Sequence, residues 1–521
     1  MTAALVALVI FAIAMVVIGV VSSKRAGTMD GFLLGGRKMG AWMSAFAYGT
    51  SYFSAVIFVG YAGKNGWDIG LAAVWIGVGN ALIGCLLAWK LMAKRVRNMT
   101  HALKARTMPE FFSERYGSKP MKLFAAVLIF VFLVPYAASV YKGLGTLFSA
   151  IFPQAGDLIP GVSANMLCMF IVAVLTGFYL ILGGYVAVAL SDFIQGIIMI
   201  VGVIILVVAV TLHGNVGGIG QAISSLKNIQ PSLVSVTGGS FWRFLLLNIL
   251  LTSVGTFGLP QMVHKFYAVK DERAIRRATV VSTGFAMIIG CGAYFFGSMG
   301  RLILSNNPPL TASGAVDYDS IVPTMLMSAF SSGLAGQILI AVIMVLLLSA
   351  SMSTLSSVVL SSSTAVSIDF IKVLRPGFKD KTQMVVTRAL CLVFVALSFI
   401  FANFNFAIIV SIMSYSWGIV SGCFIGPFLW GLFSKKITKA GAWSGMLAGF
   451  ITVVSMAVIW TASNNPGDIG LYNAFKLAST ESPLFGVSAM GVSLVVVPLV
   501  SLFTKKPDEK LVGRAFSKPA A

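Results

Sequence analysis

Charge is what this sequence has least of. Only 10% of its 521 residues are Asp, Glu, Lys or Arg, 58% are hydrophobic, and the mean hydropathy is +0.93. A soluble domain carries about 25% charged residues to cover its surface, so a water-soluble fold is excluded. Cysteine and histidine are also scarce, at five and three. Cys85, Cys168, Cys291, Cys391 and Cys423 all fall in apolar runs with no close pair, which argues against a disulfide framework or a metal centre. His101, His213 and His264 are expected in loops or at segment ends. No phosphate-binding Gly-rich loop, zinc-peptidase motif or nucleophile elbow is visible, so a nucleotide-driven pump is not expected and an enzyme is the least expected class.

What the chain has instead is long apolar runs. About 13 stretches are long enough to cross a hydrocarbon core of about 30 Å. They lie near 3–22, 41–63, 71–91, 123–150, 164–183, 191–212, 241–262, 279–300, 334–368, 387–403, 407–432, 440–460 and 485–503, and are numbered spans 1 to 13 in that order. Helices are expected, because a segment in lipid must satisfy its own backbone groups.

The net charge of +21 is uneven along the chain. All of the 37 basic residues except Lys64, Lys142, Lys227, Arg243, Arg301 and Lys476 fall in segments 23–40, 90–122, 263–278, 369–388, 433–439 and the tail from 504. These are alternate loops. The positive-inside rule then places them in the cytoplasm, with the N-terminus outside and the C-terminus inside. The same distribution explains the surplus charge without nucleic acid: these loops face anionic lipid headgroups. The first positives, Lys24 and Arg25, follow the first apolar run, so that run is expected to be a retained span of an inner (plasma) membrane protein.

Two spans are interrupted. Span 2 carries Tyr48-Gly49-Thr50-Ser51-Tyr52-Phe53-Ser54 at its centre, and span 7 carries Thr252-Ser253-Val254-Gly255-Thr256-Phe257-Gly258-Leu259-Pro260. Gly and Pro loosen the helical ladder and free carbonyls and amides. The breaks are five spans apart, which points to an inverted five-helix repeat with binding at its broken helices. The implied organisation is an N-terminal extra helix and loop (1–40), a first repeat (41–212, spans 2–6), an inverted second repeat (213–432, spans 7–11) and two C-terminal helices with a short tail (433–521).

Span 9 ends in a ladder of hydroxyls, LLLSASMSTLSSVVLSSSTAVSID at 346–369. Ala350, Ser353, Thr354 and Ser357 share one helical face. A hard ion such as Na⁺ takes about five oxygens from carbonyls and hydroxyls, and a broken helix opposite could complete the set. Hydroxyls also bond their own backbone or a neighbouring helix, and the ladder by itself does not choose between the two.

Several stretches together resemble the sodium:solute symporter family: DGFLLGGRKMG at 30–40, TMPEFFSERYG at 107–117, GGYVAVALSDFIQGIIM at 183–199, SMSTLSS at 351–357 and SYSWGIVSGCFIGPFLWGLF at 414–433. The resemblance implies an all-α, leucine-transporter-type inverted repeat. It also implies Na⁺ as the coupling ion with no other cofactor. By matching position, sodium would be held by the carbonyls of Thr50, Phe53 and Ala350 and the hydroxyls of Ser353 and Thr354. Ser357, on the same helical face, is the expected extra ligand or exit-path residue, as is Asp192, which the resemblance matches to a residue on the inward sodium route.

For the solute, proline-type members carry Asp where this chain has Tyr52, and Trp and Tyr where it has Thr252 and Thr256. The run at 51–60 and Gly258-Leu259-Pro260 are closer to the pantothenate and monocarboxylate branch. A small carboxylate-bearing solute is therefore the first expectation, and proline or another amino acid the alternative. Tyr52, Ser54, Tyr136, Tyr141, Thr252, Thr256, Gln261, Tyr415 and Trp417 are the candidate pocket residues, each also compatible with helix packing or an interfacial aromatic belt. Lys142 is expected to snorkel outward. A substrate sensor or a channel would use the same fold, but the tail at 504–521 is short for a signalling domain.

Overall fold

The computed structural model describes residues 2–23, 28–375, 377, 379–404, 407–464 and 470–517. Lys24, Arg25 and Lys518 lie outside the described residues. The described chain is almost wholly helical, with only isolated bridges at Met39–Val269 and Leu310–Val316. Among the described residues, eleven helical runs are long and apolar enough to cross a membrane. About 13 were expected, and the difference has a local cause. Ala164–Thr211 is one hydrogen-bonded run of 48 residues, but Gly184 (φ 53°, ψ −144°) breaks its path between spans 5 and 6. Likewise Val56–Ala102 passes through Gly70 (φ 71°, ψ −140°) between spans 2 and 3. Both conformations are open essentially to glycine alone.

The two expected breaks are present. Span 2 is helical over Ala41–Tyr52, extended at Phe53 (φ −105°, ψ 117°), and helical again from a π-turn at Val56–Tyr61 into Ala62–Ile69. Span 7 is helical over Trp242–Val254, tightens to a 3₁₀ turn at Gly255–Phe257, is extended at Leu259 (φ −85°, ψ 122°) and restarts at Pro260–Tyr267. Proline at the first position of the restarted helix loses nothing, because that N–H has no intrahelical partner.

Lipid offers no hydrophobic drive for helices to associate, so close packing and polar contacts must hold them. Span 8, Glu272–Ser298, packs on both halves of span 2 and on span 3. Glycines make this possible: a Cβ on Gly66 would sit 2.2 Å from the Gly297 carbonyl carbon, and one on Gly77 would sit 2.5 Å from the Gly290 carbonyl carbon. Span 9, Gly333–Thr364, lies against spans 5 and 6 and span 1, while the two C-terminal helices pack on span 11, Ile409–Phe433.

The basic segments meet on one face. Arg37 donates to the Ala105 carbonyl, Arg97 to those of Val269 and Lys270, and Arg115 to those of Gly431 and Ser434. Lys122 pairs with Asp369, and Arg514 with Glu114. Lys64, Lys142 and Arg301 gather instead around Asp68, Trp67 and Asp319. Lys142 does not snorkel. Its ammonium lies 2.9 Å from Asp319, whose carboxylate accepts from the Ile409 amide that opens span 11.

Candidate functional site

The break in span 2 faces the hydroxyl ladder of span 9. The regular ladder of the first half-helix ends where the Phe53 amide reaches the Gly49 carbonyl at 3.3 Å. The carbonyls of its last turn meet hydroxyls from across the interface. Ser353 Oγ donates to Thr50 O at 3.1 Å and Thr354 Oγ1 lies 3.3 Å from the same oxygen. Thr354 Oγ1 is also 3.5 Å from Ser51 O, and both hydroxyls lie within 3.1 Å of Ala350 O. The Ala55 amide, displaced by the break, donates to Ser351 Oγ at 3.2 Å. Thr50, Ala350, Ser353 and Thr354 are therefore brought together, all fully buried. Phe53 supplies the extended turn that ends the half-helix, but neither hydroxyl bonds its carbonyl; the Ser51 carbonyl, not singled out in the sequence, stands in the cluster instead.

One turn further along span 9, Ser357 Oγ lies 2.7 Å from Ser51 Oγ and 2.9 Å from the Lys265 ammonium, which lies 3.2 Å from Asp192. Lys265 was counted with the cytoplasmic loop 263–278. It sits instead in the restarted half of span 7 and is 1% exposed. His264 beside it is buried between Tyr185 and Tyr267 and not in a loop.

A second polar group joins the two breaks directly. Tyr52 Oη donates to Thr252 O at 2.6 Å and lies 3.0 Å from Asn80 Oδ1. Thr252 and Ser253 place their hydroxyls 2.8 and 3.1 Å from the same Asn80 oxygen. Thr256 bonds the Ser253 and Gly84 carbonyls. The Trp417 ring stacks on Tyr52 at 6.2 Å and meets Tyr136 edge-on at 5.7 Å. Asn80 Nδ2 and Trp417 Nε1 are buried donors with no hydrogen-bond partner. No Lys, Arg, Asp or Glu makes a hydrogen bond within this group among the described residues.

The remaining candidates are spread. Ser54 caps the restarted helix by accepting from the Val56 amide. Gln261 and Tyr141 are buried with unpartnered polar atoms, Gln261 at the start of the second half of span 7 and Tyr141 five residues beyond Tyr136. Tyr415 points elsewhere: its ring stacks on Phe475 at 5.7 Å, against the C-terminal helices, because it lies on the face of span 11 away from Trp417. Asn80 was missed. Its signal was available, as the one amide side chain in the apolar run of span 3.

The sodium:solute symporter family pattern matches residues 32–449. The chain belongs to the sodium:solute symporter family. It is thus a multi-pass membrane transporter and not an enzyme. It is 27% identical over 518 residues to a protein of Haemophilus influenzae named sodium/proline symporter, covering 98% of this chain and 96% of that one. It is 27% identical over 504 residues to the high-affinity proline transporter PutP of Bacillus subtilis, covering 96% and 98%. A Staphylococcus aureus sodium/proline symporter is 28% identical over 510 residues, covering 96% and 92%. Among solved structures, a substrate-bound, outward-open Na⁺-coupled sialic acid symporter superposes with a TM-score of 0.76 at 18% identity, covering 97% of this chain and 98% of that one. The fold is the leucine-transporter-type arrangement that the resemblance implied, in agreement with the spacing of the two breaks.

Proposed function

We propose that the chain is a sodium-coupled symporter that takes up a small zwitterionic amino acid of the proline type by alternating access. The observation that carries this reading is the meeting of Ser353 and Thr354 with the Thr50 carbonyl at the break of span 2. Thr50 O, Ser51 O, Ala350 O and the two hydroxyls are five neutral oxygens, the number and hardness Na⁺ takes. A set without a carboxylate binds weakly enough to release its ion. Thr50 and Tyr52 are two residues apart, one turned toward the ladder and the other toward Asn80 and Thr252. An ion on one and a solute on the other must therefore agree on one geometry of the break, which is the physical basis of coupling.

The relatives named as proline transporters match nearly the whole chain, and this favours the amino-acid alternative over the pantothenate and monocarboxylate class. Charge supports the same choice. The group around Asn80 holds only neutral dipoles, and the buried or half-buried lysines of the helices are already paired, Lys64 with Asp68, Lys142 with Asp319 and Lys265 with Asp192. A zwitterion has no net charge to compensate, whereas a net anion would meet no cationic side chain there. The unpartnered Trp417 Nε1 and Asn80 Nδ2 are donors for a carboxylate. Tyr52 in place of Asp leaves the amino group to neutral oxygens.

A thermal-shift screen of the purified protein tests this reading. Proline and other small amino acids should stabilise it only with Na⁺ present, through linkage. Sodium-dependent stabilisation by pantothenate or a monocarboxylate, with none by amino acids, would return the substrate to the other branch.

A further inference from the structure

The charged group beside the hydroxyl cluster enters the reading above only as a lysine that is already paired. Lys265 reaches it from the restarted half of span 7, Asp192 from span 6, Ser357 from span 9 and Ser51 from the break of span 2. The ammonium lies 3.2 Å from Asp192 Oδ2 and 2.9 Å from Ser357 Oγ, with Ser51 Oγ 2.7 Å beyond. The Tyr185 ring faces the ammonium at 5.4 Å. None of Lys265, Asp192, Ser357 and Ser51 is more than 3% exposed. Asp192 Oδ1 is buried and has no hydrogen-bond partner.

A carboxylate with one open oxygen and neighbouring hydroxyls is a set of hard ligands for a small cation. Here the occupant is the end of a side chain. A buried carboxylate requires a countercharge, and Lys265 supplies it without recruiting an ion from solution. Ser357 is one helical turn, about 6 Å, from Ser353, so any charge held here acts directly on the neighbouring cluster.

We propose that the Lys265 ammonium is a resident cation that fills a second cation position formed by Asp192 and Ser357, and thereby limits this chain to one bound sodium per cycle. The proposal rests on the sodium-symporter reading. It makes Lys265 a determinant of stoichiometry, a role distinct from that of an ordinary packing ion pair.

The test is equilibrium binding of ²²Na⁺ to the purified protein, with K⁺ as the control ion. The wild type should bind one sodium. Lys265→Ala, which bares the carboxylate and opens room for an ion, should bind two. Lys265→Ala with Asp192→Asn should return to one, because the second position has lost its charge. Where Lys265→Ala is unstable in low salt, Na⁺ and not K⁺ should recover it, with a larger thermal shift than sodium gives the wild type. The proposal is overturned by a wild type that binds two sodium ions, or by a Lys265→Ala protein that binds one. A Lys265→Ala protein that sodium stabilises no more than it does the wild type overturns it as well. A wild type that binds no sodium refutes the symporter reading itself, so the two failures are distinguishable.

Discussion

Removing the two hydroxyls of span 9 is the sharpest perturbation of the proposed ion cluster. Ser353→Ala and Thr354→Ala together delete two of the five oxygens that meet at the break, and leave Thr50 O without its side-chain donors. A hydrogen-bond-like contact to a charged partner contributes about 1.5–3 kcal/mol. At about 1.4 kcal/mol per tenfold, each single variant should raise the sodium concentration for half-maximal uptake by about ten- to a hundredfold. The double variant should raise it by at least about a hundredfold. The side chains are fully buried, so solvent does not soften the loss. Thr354→Ser keeps the oxygen and should stay close to the wild type, which separates loss of a ligand from loss of packing. The assay is solute uptake into proteoliposomes as a function of external Na⁺, at saturating solute. A double variant with the wild-type sodium dependence would refute the assignment and leave the ladder as helix packing.

Other sites give independent checks. Trp417→Phe keeps the ring against Tyr52 but removes the free indole donor. Solute KM should rise by about ten- to a hundredfold with the sodium dependence nearly unchanged, as read by uptake kinetics. Lys142→Met should destabilise the protein by about 3 kcal/mol, because it strands Asp319 at 8% side-chain exposure. Adding Asp319→Asn should recover much of the loss in a thermal-unfolding series. Gly66→Ala should cost about 1–3 kcal/mol or more, since its Cβ would lie 2.2 Å from the backbone of Gly297, which has no side chain to move aside. A melting temperature equal to the wild type's would show that span 2 and span 8 pack less closely than described.

The membrane class, the helical content and the two broken spans were legible in the sequence because they rest on apolar length and on Gly, Ser and Pro at span centres. The hydroxyl ladder was legible as a face, and its partner at Thr50 followed from the resemblance. What escaped depends on which way a buried side chain turns. Lys265 looked like a loop cation by position. Pro260 starts a new half-helix, PQMVHKFY, which carries Lys265 into the protein toward Asp192. Lys142 looked like a snorkelling residue, but its partner Asp319 lies 177 positions away in a short 3₁₀ turn, Tyr318–Ser320, that no periodicity describes. Tyr415 and Trp417 are two residues apart and so lie on different faces of span 11, and only Trp417 turns to the breaks. The solute class was the least legible. Spacing fixes where a pocket is, whereas the neutral character of its lining appears only when Asn80, Thr252, Ser253 and Tyr52 are seen together.

The central claim is that sodium on the span 2 and span 9 oxygens drives accumulation of an amino-acid solute. The most direct measurement is uptake of labelled proline by proteoliposomes with the purified chain, under an inward Na⁺ gradient and under a matched K⁺ gradient. Accumulation above the external concentration with Na⁺ alone, abolished when the gradient is collapsed, is the predicted result. Equilibration without accumulation, or accumulation that ignores sodium, would contradict the account.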